Sequence, residues 1–150
     1  MTESIQNLQK MMALQKLVKK IRPLIHCITN PISIHDCANV VLAAGGRPIM
    51  AEHPREVEQI TETAQALMLN LGNITDVRME SMKRSLAAAN KKGIPVLLDL
   101  VGVACSDLRR EYASELLQTG TISVLKGNMS EILEMAGEES HSIGIDAGIQ

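Results

Sequence analysis

Short apolar runs that alternate with longer helical stretches constrain this chain more than any other feature. The clearest run is IPVLLDL, a continuous apolar stretch that reaches a carboxylate at Asp99. A strand without polar alternation is buried on both faces, which is the pattern of a parallel sheet covered by helices. Similar runs predict five strands, near residues 24–29, 47–51, 66–70, 94–99 and 121–125. Between them lie helical patterns. IHDCANVVLAA is stopped by Gly45 and Gly46, and HPREVEQITETA holds Pro54 at a first-turn position. TDVRMESMKRSLAAANKKG is opened by Thr75 or Asp76 as cap and closed by Gly93. SDLRREYASELLQTG and NMSEILEMAG complete the series. Strand–helix–strand units joined by right-handed crossovers give an α/β fold: one parallel sheet with helices on both faces.

Ahead of the first strand, residues 1–22 read as an amphipathic helix. Leu8, Met11, Leu14, Leu17, Val18 and Ile21 fall on one stripe with lysines opposite, and Pro23 ends it. No linker, repeat or low-complexity stretch divides the 150 residues, so 1–150 is expected to be a single domain. The tail HSIGIDAGIQ starts a loop or strand with no closing helix after it. That predicts a ragged domain end or the N-terminal part of a longer α/β protein.

Composition removes several functions. With 15 basic and 17 acidic residues the formal charge is −2, which leaves no electrostatic footprint for nucleic acid. One Tyr, no Phe and no Trp exclude a base-stacking platform, so a flat ligand must be held by aliphatic groups and sulfur, for which nine Met are available. No apolar stretch is long enough to span a membrane and no secretory signal is evident. Cys27, Cys37 and Cys105 form no C-x-x-C pattern. They are expected to be small core residues of a reduced, cytoplasmic protein. His26, His35, Cys27 and Cys37 invite a metal reading, but His35 and Cys37 are two apart, too close for a helical ligand pair, and Cys37 fits the buried face of its helix. His53 and His141 read as surface residues.

In an open parallel sheet, ligands bind beyond the carboxyl ends of the strands. Thr29, Asn30 and Pro31 follow the first run, and Met50, Ala51 and Glu52 follow the second. Asn70 to Asn73 close the third, Asp99 to Gly102 the fourth, and Lys126, Gly127 and Asn128 the fifth, with Glu131 one turn on. Asn30, Met50, Gly72, Asp99, Lys126 and Glu131 are therefore expected along one edge of the sheet. Asp99 and Glu131 have two readings. Either they serve a Mg²⁺ ion, which takes one or two carboxylates with waters and phosphates, or they form a capping network plus a solvated carboxylate. The Lys126-Gly127-Asn128 turn suits a phosphate, since glycine admits close backbone approach and a helix N-terminus offers N–H groups.

Several strings together resemble one family. PLIHCITNPISIHDCANVVLAAGGRPIMAEHPREVEQI looks like the N-terminal signature of hydroxyethylthiazole kinases, and ALMLNLGNI, GIPVLLDLVGVACSDLR and SVLKGNMSEI follow in the family's order. The resemblance runs from Leu24 to about Gly137. It implies a ribokinase-like three-layer α/β sandwich, apparently truncated here. It also implies phosphorylation of the hydroxyl group of 4-methyl-5-(2-hydroxyethyl)thiazole by ATP with Mg²⁺, in thiamine biosynthesis and salvage, by a cytoplasmic homotrimer with active sites between subunits. By match, Asn30 would contact the thiazole alcohol, and Met50 and Gly72 would line its pocket. Lys126 and Asn128 would meet the ATP phosphates, and Asp99 and Glu131 would serve the metal and its waters.

Pro31, His35, Leu100 and Ala104 depart from the residues usual in the family at those positions. The family's catalytic cysteine and Gly-rich anion hole would lie beyond Gln150, and none of the three cysteines matches it. No catalytic residue is therefore assigned, and the 150-residue chain alone is expected to be inactive. Two functional classes remain: a thiazole kinase represented by its N-terminal part, or a non-catalytic small-molecule-binding α/β module or inactive fragment.

Overall fold

The computed structural model describes residues 2–137; the 141–150 tail, with His141, lies outside them. Six helices and five strands alternate: α1 (Thr2–Ile21), β1 (Leu24–Ile28), α2 (Ile34–Ala44), β2 (Arg47–Ile49), α3 (Val57–Thr63), β3 (Ala66–Asn70), α4 (Asp76–Lys92), β4 (Val96–Asp99), α5 (Asp107–Thr119), β5 (Val124–Lys126) and α6 (Met129–Ala136). All strands pair in parallel, in the order β2-β1-β3-β4-β5.

That order places the helices. The chain moves outward from β1 to β2, then crosses back over β1 to β3 and continues to β4 and β5. Right-handed crossovers running in opposite directions put their helices on opposite faces. So α2 covers one face, with α1 against it, while α3, α4 and α5 pack side by side on the other. The hydrophobic core is contiguous: Ile28, Leu67, Leu69, Val96 and Leu98 from the strands meet Val57, Met82, Leu86, Tyr112 and Leu116 from the helices, all buried. Tyr112 places its ring among them and donates its hydroxyl hydrogen to the Met79 carbonyl at 2.6 Å, so burial costs it no hydrogen bond.

Local chemistry sets the helix ends. Thr75 caps α4 by accepting from the Arg78 amide, and Gly93 ends it in the left-handed region at φ +74°. Gly45 ends α2 at φ +98°, where a Cβ would meet Lys19 of α1 at 2.6 Å; glycine there allows both the turn and the close approach of α1.

Several sequence expectations need correction. Pro54 lies in a turn, three residues ahead of α3. The fifth strand begins at Val124, not at 121, because the Asn90 side chain accepts from the Thr121 amide and donates to the Thr121 carbonyl, occupying both groups that a ladder would use. The fourth starts at Val96, after Pro95, which has no N–H to donate. Cys37 is only half-buried, and no residue of α2 is buried; Cys105 is exposed, so only Cys27 is a core thiol. The apolar stripe of α1 forms as a helix face but meets no core. Leu8, Met11, Leu14, Leu17 and Ile21 are 50–68% exposed. Along β5, Val124 and Leu125 are exposed as well.

Candidate active site

The strand order reverses between β1 and β3, and in such sheets the crevice beyond that point receives ligands. Polar residues cross it in a continuous line. Asn30, just past β1, accepts from the Ser33 amide at 3.0 Å and donates from Nδ2 to Asn70 Oδ1 at 3.4 Å. Asn70 ends β3. Its Oδ1 also accepts from the Gly72 amide at 2.8 Å, which fixes the orientation of its side chain, and its Nδ2 donates to Asp99 Oδ2 at 2.9 Å. Lys126 ends β5 and donates to the same Asp99 oxygen at 3.0 Å. The register explains the line: Asn70 pairs with Asp99, and Asp99 with Lys126.

Asp99 is buried, while the Lys126 side chain is 64% exposed. An ion pair so open on one side leaves the lysine free to exchange partners with an incoming anion. The second oxygen of Asp99, Oδ1, is buried without a partner. Burying an unpaired carboxylate oxygen is costly, so a water or a cation fits there.

Glu131 forms the capping network that one of its two sequence readings expects. Its Oε2 accepts from the Asn128 amide at 2.8 Å while Asn128 Oδ1 accepts from the Glu131 amide at 2.9 Å, a reciprocal capping box at the start of α6. Its Oε1 accepts from the Gly102 amide at 2.8 Å, tying α6 to the turn after Asp99. Glu131 therefore fixes the two loops that flank Asp99. Asp99 supplies the unpartnered oxygen, and among the described residues no group of three His, Cys, Asp or Glu is placed to hold a metal. The Lys126-Gly127-Asn128 turn is tight: a Cβ on Gly127 would lie 3.1 Å from Glu131 Oε2.

Met50 lies half-buried immediately after β2. The adjoining Glu52 side chain accepts from Arg78 Nε at 2.8 Å, and Arg78 Nη1 also donates to the Asn73 carbonyl at 2.7 Å. One guanidinium of α4 thus joins the loops after β2 and β3. The His and Cys residues near β1 do not assemble as ligands. His26 is fully buried, with both ring nitrogens hydrogen-bonded to protein, and burial holds its pKa below the usual histidine value. Burial pushes the Cys27 thiol up to about 11, which keeps it protonated and unreactive. Among the described residues, the sequence reading missed Asn70 as the hub of the line and the anchors His26, Arg78 and Ser81 behind Met50. A polar residue closing an otherwise apolar strand was the available signal for Asn70.

Comparison with known proteins decides the family. The family model described as the hydroxyethylthiazole kinase family matches residues 14–150. The chain belongs to the hydroxyethylthiazole kinase family. Hydroxyethylthiazole kinase 2 of Clostridium botulinum strain Hall is 53% identical over 137 residues, which cover 91% of this chain and 52% of that protein. The hydroxyethylthiazole kinase of Finegoldia magna is 46% identical over 140 residues, covering 93% and 52%. The chain spans about half the length of these curated relatives. A solved hydroxyethylthiazole kinase from Pyrococcus horikoshii superposes with a TM-score of 0.79 at 36% identity, over 82% of this chain and 48% of that one. A receiver domain of a sensor histidine kinase from Pseudomonas aeruginosa shares the fold alone, with a TM-score of 0.51 at 15% identity over 76% and 93% of the two chains. The α/β fold expected of a hydroxyethylthiazole kinase is thus the fold observed.

Proposed function

We propose that the protein transfers the γ-phosphoryl group of ATP to the hydroxyl group of 4-methyl-5-(2-hydroxyethyl)thiazole, as a cytoplasmic enzyme of thiamine biosynthesis that assembles as a homotrimer. The observation that supports this most is the line Asn30–Asn70–Asp99–Lys126, which links a site for an alcohol to a site for phosphate across one crevice. Asn30 and Gly72 lie at the alcohol end, with Met50 offering a polarisable apolar wall suited to a thiazole ring. Lys126 and the α6 N-terminus at Asn128 lie at the phosphate end, where cationic and N–H donors stabilise phosphate charge.

In this reading the alcohol oxygen bonds to the γ-phosphorus, the bond to the ADP oxygen breaks, and the hydroxyl proton passes to solvent. Catalysis in such a transfer is mostly positioning and charge stabilisation. Asp99 would hold Mg²⁺ through its unpartnered Oδ1, with Glu131 holding the loops on either side in place. When bound, the ion neutralises charge on the phosphates. Lys126 leaves Asp99 to meet an incoming phosphate, and Asn70 keeps the carboxylate aimed into the crevice.

The homotrimer would bury apolar surface such as the α1 stripe. No helix of the described residues is long and apolar enough to cross a membrane.

The test is direct: protein at its full encoded length, ATP, Mg²⁺ and the thiazole alcohol, with the phosphorylated product followed by mass spectrometry. Turnover of roughly 1–100 per second supports the reading. Binding of the thiazole without phosphoryl transfer would favour a non-catalytic binding module instead.

A further inference from the structure

Behind Met50, two consecutive backbone carbonyls are held by side chains from elsewhere in the fold. His26 lies in register with Ile49, the last residue of β2, and its ring is fully buried. Its Nε2 is 2.8 Å from the Ala51 carbonyl oxygen, and its Nδ1 is 2.8 Å from Thr61 Oγ1. The Thr61 hydroxyl in turn donates to the Val57 carbonyl at 2.7 Å. A carbonyl only accepts, so the Ala51 contact requires hydrogen on Nε2.

The hydrogens along the relay can then be counted. The relay from Ala51 through His26 and Thr61 to Val57 has three links and a carbonyl acceptor at each end. A neutral imidazole and one hydroxyl supply two hydrogens between them. With the imidazole hydrogen on Nε2, Nδ1 is an acceptor, and the single Thr61 hydroxyl hydrogen serves either Nδ1 or the Val57 carbonyl.

The next carbonyl, that of Glu52, accepts from Ser81 Oγ of α4 at 2.7 Å, the same hydroxyl also lying 2.8 Å from the Val77 carbonyl. An irregular segment gains a single conformation only when its backbone groups are tied down. Here His26 and Ser81 tie the carbonyls of the two residues that follow Met50.

We propose that His26 and Ser81 are positioning residues for the acceptor substrate. By holding the Ala51 and Glu52 carbonyls they fix Met50 against the thiazole ring, and so set affinity for the thiazole alcohol, not the rate of phosphoryl transfer. The proposal rests on the reading of Met50 as a wall of the thiazole site.

The experiment uses protein at its full encoded length, with ATP saturating and the thiazole alcohol varied, for Met50→Ala, His26→Leu, His26→Gln, Ser81→Ala and Thr61→Val. His26→Leu loses the Ala51 bond and should raise KM about three- to tenfold, with kcat within about twofold. Ser81→Ala should move KM in the same direction. His26→Gln places an amide N–H near the position of Nε2–H and should restore KM to within about twofold. Thr61→Val leaves the Ala51 bond intact; it should lower the melting temperature and leave KM unchanged, which a merely structural role for His26 would not predict. If His26→Leu does not fold, Ser81→Ala and His26→Gln decide by the same criteria. A raised KM in Met50→Ala with unchanged KM in His26→Leu and Ser81→Ala overturns the proposal alone. An unchanged KM in Met50→Ala overturns the reading of Met50, and the proposal with it.

Discussion

Asn70 and Asp99 lie in register at the ends of β3 and β4, and the Asn70 amide donates to Asp99 Oδ2 at 2.9 Å. Lys126 adds a second donor to that oxygen, while Oδ1 stays buried and unpartnered. The carboxylate is therefore held by one oxygen and presents the other. An amide at position 99 would keep the size of the side chain and lose the charge. Asp99→Asn should lower kcat on the order of 100-fold while changing the thiazole KM by less than about threefold, because in the proposed reading its charge acts through the metal on the transferring phosphoryl group. Steady-state kinetics with both substrates varied checks this; a parallel rise in the thiazole KM would place Asp99 on the acceptor side instead.

Gly72 occupies the other end of the same line. A Cβ there would meet Asn70 Oδ1 at 2.8 Å and Asn30 Nδ2 at 2.9 Å, both nearer than real Cβ contacts allow. Gly72→Ala must push the two amides apart, and the Asn30 side chain is the one nearer the proposed alcohol. The expected result is a thiazole KM raised about tenfold or more, with a stability loss of about 1–2 kcal/mol from the disturbed buried bonds. Calorimetric titration with the thiazole alcohol and thermal denaturation read the two effects separately.

Much of this arrangement was legible from period and punctuation. Apart from the second, which runs on into Met50 and Ala51, each apolar run closes on a polar residue, and in a parallel sheet all strand ends share an edge, so the rim follows from the sequence. The limits arise where side chains compete with the backbone. Nothing in TGTISVLKG tells that Asn90, some thirty residues earlier, takes both backbone groups of Thr121 and delays β5. Glu131 sits at a position that suits a metal ligand and a capping residue equally, and its reciprocal bonds with Asn128 are not legible from spacing. The role of His26 was hidden for a similar reason. A histidine in an apolar strand carries no sign of its partners, because Ala51 and Thr61 come from a loop and a helix that the sheet order alone brings to it.

The three thiols should separate by reactivity. Cys27 is buried with its pKa raised to about 11, first by burial and then by the neighbouring Cys37, whereas Cys105 is exposed. Since the thiolate is the reactive form, a disulfide reagent at pH 8 should modify Cys105 rapidly and Cys27 only on unfolding. Mass spectrometry of peptides after timed labelling gives the order. Early labelling of Cys27 in the native protein would show that the end of β1 opens to solvent.

Acid should weaken the fold through His26. Burial lowers its folded pKa below the ordinary value of 6.5, and the Ala51 carbonyl and the Glu56 carboxylate offset only part of that. Above about pH 7 the ring is neutral in both folded and unfolded chains and contributes no pH dependence. As pH falls through 6.5 the unfolded chain takes up a proton that the folded chain does not, so the unfolded state binds more protons and stability drops with pH. The decline flattens once the pH passes below the folded pKa. His26→Gln removes the titrating ring while offering an N–H to the same carbonyl. Melting temperatures measured from pH 7.5 to 5 should therefore fall more steeply for the wild type than for His26→Gln. Parallel curves would mean that the relay from Ala51 to Val57 stabilises the imidazolium enough to cancel the cost of burying it.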